Sequence, residues 1–202
     1  MQLDGREVHS GPTAPTGMPA RIAVLISGGG RSLLNLHEGV LSGKLNINIA
    51  LVLASRPCLG AERAESSGLP TLVEASPLDA TRLREVLDEF RIDYIVLAGY
   101  LRLLPILEGM ERRVLNIHPS LLPRFGGPGM YANRVHEAVL AAGDTESGCT
   151  VHWCDHEFDR GDIILQRRCP VLPGDTAATL AARVFQEELI ALPEAVAGVC
   201  RL

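Results

Sequence analysis

Lysine is almost missing from this chain: among its 202 residues, Lys44 is the only one. That excludes Schiff-base chemistry at any other position. It also excludes a Walker-type phosphate loop, because no Gly-Lys-Ser or Gly-Lys-Thr occurs. No run of basic residues exists, and with a net charge of -5 the chain lacks the electrostatic footprint of a nucleic-acid binder. No apolar run reaches the roughly 18 residues that a bilayer-spanning helix needs, so no membrane partner is expected. Residues 1–20 carry Gly, Pro, Thr and Ser without periodicity and lack the apolar centre of a signal peptide. They read as a disordered N-terminal extension outside the fold. The five cysteines (Cys58, Cys149, Cys154, Cys169 and Cys200) are odd in number, irregular in spacing and without a Cys-x-x-Cys pair. They read as reduced thiols in a cytoplasmic protein.

What is present is apolar and ordered in pattern. Hydrophobic residues make up 47% of the chain, enough for one sizeable core, and residues 21–202 read as one domain. Ile22 to Ile26 is a short buried strand that ends in Ser27-Gly28-Gly29-Gly30. Leu33, Leu36, Val40 and Leu41 follow at helical spacing, and Gly43 ends that helix. Ile47 to Leu53, Tyr94 to Ala98 and Val114 to His118 are further strands. Between them, Ser76-Pro77 and Asp79 suggest a capped helix start with proline in its first turn, ahead of the stripe Leu83, Val86, Leu87 and Phe90. Val135 to Ala142 reads as a helix. Thr150 to Cys154 and Ile163 to Arg167 read as strands around a turn at Asp159-Arg160-Gly161, and Thr176 to Val199 as a long helix bent at Pro193. Strands alternating with helices imply an α/β fold, a single Rossmann-like domain whose mostly parallel central sheet is flanked by helices.

Several segments carry chemistry. In Asn116-Ile117-His118-Pro119 the period of a strand puts Asn116 and His118 on one face, with Leu115 and Ile117 on the other. Pro119 cannot donate to a ladder and should end the strand. An amide and an imidazole then meet at a strand's carboxyl end, where open α/β sheets build their sites. The loop Gly28-Gly29-Gly30-Arg31-Ser32 joins a strand to a helix N-terminus and suits a phosphate, although a bare tight turn satisfies the same pattern. A dinucleotide fingerprint fits poorly, because Leu33 stands where its third glycine belongs. In Cys149 to His156 a strand places Cys149 opposite His152, Cys154 and His156, and the spacing matches no common zinc pattern. A strand with satisfied polar groups is favoured there, and no metal is expected. By itself Asp159 reads as a solvated turn carboxylate. Glu188 falls on the apolar half of the last helix, where a carboxylate needs a cation or donor, either a structural partner or a ligand.

Ile26 to Gly30, Leu97 to Leu104, Asn116 to Pro123, Gly148 to His152 and Asp159 to Gln166 together resemble the folate-dependent formyltransferases, and the likeness runs from about Ile22 to the C-terminus. The resemblance implies that 10-formyltetrahydrofolate donates a formyl group to the amine of glycinamide ribonucleotide, in purine biosynthesis, without a metal. It implies that Asn116, His118 and Asp159 are catalytic. Gly28, Gly29, Gly30, Arg31, Ser32 and Glu188 would hold the ribonucleotide. Tyr100, Leu101, Arg102, Leu103 and Leu104, with Asp155, His156 and Glu157, would line the folate pocket. The partners implied are small molecules, with a monomer or homodimer as the working unit. The chain departs from the family pattern at Arg31-Ser32, at residues 124–131, at Asp162 and at Leu189. A formyltetrahydrofolate hydrolase, a transferase for another amine, and a non-catalytic binding protein are the alternatives. The intact trio speaks against the last, since binding alone does not require all three residues.

Overall fold

The computed structural model describes residues 18–200. The expected extension over 1–20 therefore lies outside the described residues, apart from its last three, and Ala20 is already the first residue of a strand. In chain order the elements are β1 (Ala20–Ile26), α1 (Arg31–Leu41), β2 (Ile47–Ala54), α2 (Leu59–Ser66), β3 (Thr71–Val73), α3 (Ala80–Phe90), β4 (Tyr94–Leu97), β5 (Val114–His118), α4 (Asn133–Ala141), β6 (Glu146–Trp153), β7 (Ile163–Pro170) and α5 (Ala177–Cys200). One seven-stranded sheet has the order β3-β2-β1-β4-β5-β6-β7. Pairing is parallel from β3 through β5 and antiparallel for β5–β6 and β6–β7. The α/β reading of the sequence is thus the fold.

The parallel strands are unbroken apolar runs because both sheet faces are covered. In β1, Ile22, Val24 and Ile26 pack into one core with Leu33 and Leu36 of α1 and Leu180, Val184, Leu192 and Val196 of α5. Ala23 and Leu25 enter the opposite core with Leu83, Val86 and Leu87 of α3. Pro193 lies inside α5. It lacks an N–H, so the carbonyl four residues earlier loses its helical donor. That carbonyl, on Leu189, accepts from Asn35 Nδ2 at 2.8 Å, which fastens α1 to α5.

Two details differ from the sequence reading. The cap of α3 is Asp79, whose side chain accepts from the Arg82 N–H, so Pro77 precedes the helix instead of opening it. The elements α2 and β3 carried no pattern: α2 buries only Gly60, Ala61 and Ala64, and β3 has three residues at the sheet edge. None of the five cysteines is in a disulfide. Among the described residues no helix is long and apolar enough to cross a membrane.

The chain leaves β1 toward one side of the sheet and returns at β4 on the other, which makes the crevice between their carboxyl ends a topological switch point. The glycine loop follows β1, residues 98–104 follow β4, and the Asn116–His118 pair ends the neighbouring β5.

Candidate active site

A cavity of about 500 Å³ opens at this switch point. Its walls include Gly28 to Ser32, Ala181, Phe185 and Glu188 of α5, Leu97 to Leu104, and Cys154, Asp155, Glu157 and Phe158. Asn116, His118, His152 and Asp159 lie along the same cavity. Of the residues singled out from sequence, His156 alone is left out: it is exposed and does not line the cavity. It stands in a bend between lining neighbours, so its side chain turns to solvent.

The glycine loop is held by its carbonyls. Those of Ser27, Gly28 and Gly29 accept from Arg56 Nε (3.0 Å), the Gly60 N–H (2.9 Å) and Arg63 Nη1 (2.8 Å). The N-terminus of α1 follows at once, and its first N–H groups have no helical acceptors. Gly30 adopts φ 69°, and a Cβ there would meet Gly60 Cα at 2.8 Å. A Cβ on Gly60 would meet the Gly28 carbonyl oxygen at 2.6 Å and the Gly30 nitrogen at 2.9 Å. Two backbones therefore touch where only glycine fits. Gly60→Ala is expected to lower unfolding free energy by about 1–3 kcal/mol, read by denaturant titration; an unchanged midpoint would mean that the loop gives way freely.

Beside this loop the Arg31 guanidinium lies 3.7 Å from the centre of the Phe185 ring. Glu188 is partly buried and pairs with no cation of the described residues within salt-bridge distance. Burial pushes its carboxyl up to about 7, with Arg31 pulling the other way. The sequence expectation of a cation or donor on Glu188 is met only by this through-space influence. Ser27 joins the glycine loop to the segment 97–104: its Oγ accepts from the Leu101 N–H (3.1 Å) and lies 2.7 Å from Ser55 Oγ.

The centre of the cavity is built by strand register. Asn116 pairs with His152 and His118 with Thr150 across β5 and β6, so all four share one sheet face. Leu115, Ile117, Cys149 and Val151 take the other face, in the core. Asn116 Nδ2 donates to His152 Nε2 (3.1 Å) and to Asp159 Oδ1 (3.2 Å). His152 Nδ1 donates to the Trp153 carbonyl (2.8 Å), and these two partners fix its tautomer. His152 was read from sequence as a bland strand residue. Its place in the site follows from an antiparallel register that no local pattern announces.

Asp159 is not a solvated turn residue: its side chain keeps 8% of its exposure. It has φ 58° and accepts at Oδ2 from the Gly127 N–H (2.9 Å). Burial pushes its carboxyl up, but His152, His118 and the Gly127 N–H together outweigh that and hold it below the ordinary range. His118 is 4% exposed. Its Nε2 donates to the Phe125 carbonyl at 2.8 Å, since a carbonyl only accepts. Its Nδ1 stands 3.4 Å from Asp159 Oδ2. Burial lowers its proton affinity below the usual imidazole value, against the opposing pull of Asp159 and the Phe125 carbonyl. The ligand-free ring is accordingly neutral at pH 7, with its proton on Nε2 and Nδ1 as the basic position.

Thr150 and Gln166 brace the chain behind His118. Thr150 Oγ1 donates to the Ser120 carbonyl (2.6 Å) and accepts from the Leu122 N–H (3.0 Å), and Gln166 Nε2 donates to the Leu122 carbonyl (2.9 Å). The turn that follows β5 is thereby fixed to β6 and β7. Burial pushes the Cys149 thiol up to about 12 and raises that of Cys154 as well, so neither is a thiolate nucleophile near neutral pH. Among the described residues no group of three or more His, Cys, Asp or Glu side chains is placed to hold a metal ion.

Residues 20–196 match the family model described as formyl transferase. A chloroplastic phosphoribosylglycinamide formyltransferase of Vigna unguiculata is 40% identical over 189 residues, covering 89% of this chain and 61% of the relative. The trifunctional purine biosynthetic protein adenosine-3 of Bos taurus is 38% identical, covering 96% of this chain and 20% of that protein. The chain thus spans about three-fifths of the plant relative's length and a fifth of the bovine one. A crystal structure of glycinamide ribonucleotide transformylase 1 from Symbiobacterium toebii superposes with a TM-score of 0.81 at 38% identity, over 90% of this chain and 88% of that one. The corresponding protein of Geobacillus kaustophilus gives 0.82 at 33% identity, over 90% and 99%. With the family model spanning nearly the whole described structure, this chain belongs to the formyl transferase family.

Proposed function

We propose that this protein transfers the formyl group of 10-formyltetrahydrofolate to the primary amine of glycinamide ribonucleotide. One observation carries the reading above the others. Asn116, His118, His152 and Asp159 form a connected polar group, with both histidines buried, in one cavity with a glycine loop suited to a phosphate and the largely apolar segment 97–104 suited to a flat aromatic ligand. The names of the relatives supply the acceptor and the pathway. Every side chain of this site comes from residues 21–202, which supports that span as one catalytic domain.

In the reaction the amine nitrogen attacks the formyl carbon, forming a C–N bond and placing negative charge on the formyl oxygen. Collapse breaks the bond to the folate N10, which takes up a proton, while the amine nitrogen gives one up. The protein supplies donors for the oxyanion and a path for the proton. In the ligand-free site both N–H bonds of Asn116 are engaged, the longer one by Asp159 at 3.2 Å. An oxyanion competes for that donor, and a donor of this kind is worth about 3 kcal/mol of barrier. His118 Nδ1 receives the amine proton directly or through a water, and the resulting imidazolium lies beside the Asp159 carboxylate. The developing oxyanion adds a second negative charge nearby, which raises the ring's proton affinity at the moment it is needed. No enzyme-bound covalent intermediate and no metal are required.

Glycines 28–30 with Arg31 and Ser32 would take the ribonucleotide phosphate, and Glu188 would accept a hydrogen bond from the same substrate. Residues 100–104 with Asp155 and Glu157 would contact the folate. With the Glu188 carboxyl near 7, acceptor affinity is expected to strengthen as pH rises from about 6 to 8, and the Glu188→Gln variant should show a flat dependence. Its folded value is raised, so its contribution to stability is present below the ordinary carboxylate range and lost as pH rises through about 7. Glu188→Gln should therefore gain melting temperature relative to the parent above pH 7. Calorimetric binding across this range decides it; parallel curves for parent and variant would remove Glu188 from the acceptor site.

The reading is tested by supplying a donor labelled with carbon-13 in the formyl group and following the label. Its appearance on the ribonucleotide amide supports the proposal. Label that ends as free formate points to water as acceptor, and label that moves only to other amines points to a different transferase.

A further inference from the structure

Among the described residues, His136 is the one buried titratable group along the cavity that the reaction above leaves without a task. It sits in the first half of α4, is 4% exposed and lines the cavity. Its Nδ1 is fully buried and has no hydrogen-bond partner. A buried ring nitrogen without a partner costs about 1–3 kcal/mol, so packing alone is a poor reason for a histidine here. A buried N–H without an acceptor is rarer than a lone pair without a donor, which puts the proton on Nε2. The edge that retains exposure is then a single N–H donor. Burial, with a smaller effect of His118, lowers this ring's proton affinity, so it stays neutral. The helix α4 packs against α5, which carries Phe185 and Glu188. That places His136 on the side of the cavity formed by α4 and α5, whose lining includes Phe185 and Glu188.

We infer that His136 is a further substrate-binding residue, whose Nε2–H donates to an oxygen of the acceptor nucleotide and so helps to set its position relative to His118. This rests on the acceptor assignment made above. A neutral donor suits a hydroxyl or carboxamide oxygen, and it leaves the phosphate to the glycine loop and Arg31.

Two variants separate the ring nitrogens. His136→Gln places an amide N–H near the position of Nε2, and His136→Asn places one near Nδ1. The Asn variant is expected to raise the KM for glycinamide ribonucleotide about tenfold, with the KM for the formyl folate within about twofold. The Gln variant should recover most of that loss. Equal KM values for parent and Asn variant, or rescue by Asn and not by Gln, would overturn the assignment. Should either variant unfold, nitrogen-15 spectra of the parent labelled at histidine serve instead. Addition of ribonucleotide, and not of a folate analogue, should shift the His136 Nε2 resonance; no shift overturns the inference. A parent protein that does not formylate this ribonucleotide at all fails at the earlier step, and the role of His136 falls with it.

Discussion

His118→Ala is expected to lower turnover by about 10²–10⁴-fold with little change in the KM for either substrate. The ring is buried, its Nε2 is committed to the Phe125 carbonyl, and Nδ1 is left as an unoccupied base 3.4 Å from Asp159. Asp159 has a depressed proton affinity and is a poor base by itself. His152 has both ring nitrogens engaged, by Asn116 and by the Trp153 carbonyl. No neighbour is therefore placed to take over. Stability should respond in the opposite sense at low pH. The folded His118 titrates below its ordinary value, so its favourable contribution is present above the unfolded imidazole range of about 6.5 and is lost as pH falls through the lower folded value. The alanine variant lacks that liability and should show a shallower loss of melting temperature between neutral pH and pH 5. Stopped-flow turnover together with thermal melts separates the two effects. Near-normal turnover in a folded variant would remove His118 from the mechanism.

Asp159→Asn should cost about 10²–10³-fold, for two reasons that can be told apart. The first is geometric. Both carboxylate oxygens accept, one from Asn116 and the other from the Gly127 N–H. An amide must present its own N–H to one of these donors. The second is electrostatic: removing the charge 3.4 Å from His118 Nδ1 lowers the proton affinity of a ring that burial has already depressed. The limb of the pH–rate profile governed by His118 should therefore move to lower pH in the variant. A profile that keeps its position while the rate falls would assign the loss to geometry alone. Because the folded Asp159 titrates below its ordinary value, its stabilising contribution is present above the carboxylate range and is lost as pH falls through the lower folded value. The asparagine variant should lack that part of the acid unfolding.

Apart from the edge strand β3, the parallel strands are readable from sequence because burial on both faces leaves continuous apolar runs, as in Ile22 to Ile26 and Tyr94 to Leu97. The site faces of Asn116 and His118 were readable for the same elementary reason, the period of a strand. What escaped is what depends on distant chain. The helix α2 buries glycine and alanine, because the glycine loop must approach it closely, and so it shows no apolar stripe. The burial of Asp159 depends on Gly126 and Gly127 closing over it: a Cβ on Gly126 would meet Leu122 Cδ2 at 2.5 Å and Asp159 Cβ at 3.1 Å. Taken alone, a turn aspartate looks solvated; only the resemblance singled it out. His152 entered the site through the antiparallel pairing of β5 with β6. The Phe125 carbonyl, which sets the His118 tautomer, is backbone and has no residue-type signature.

The central claim is that this cavity passes a formyl group between two bound molecules and does not spend it on water. The most direct test is the rate of 10-formyltetrahydrofolate deformylation, measured with and without glycinamide ribonucleotide. The account expects deformylation to depend on the ribonucleotide, with one formylated nucleotide formed for each folate consumed. Equal rates in the two reactions, with formate as the product, would contradict it.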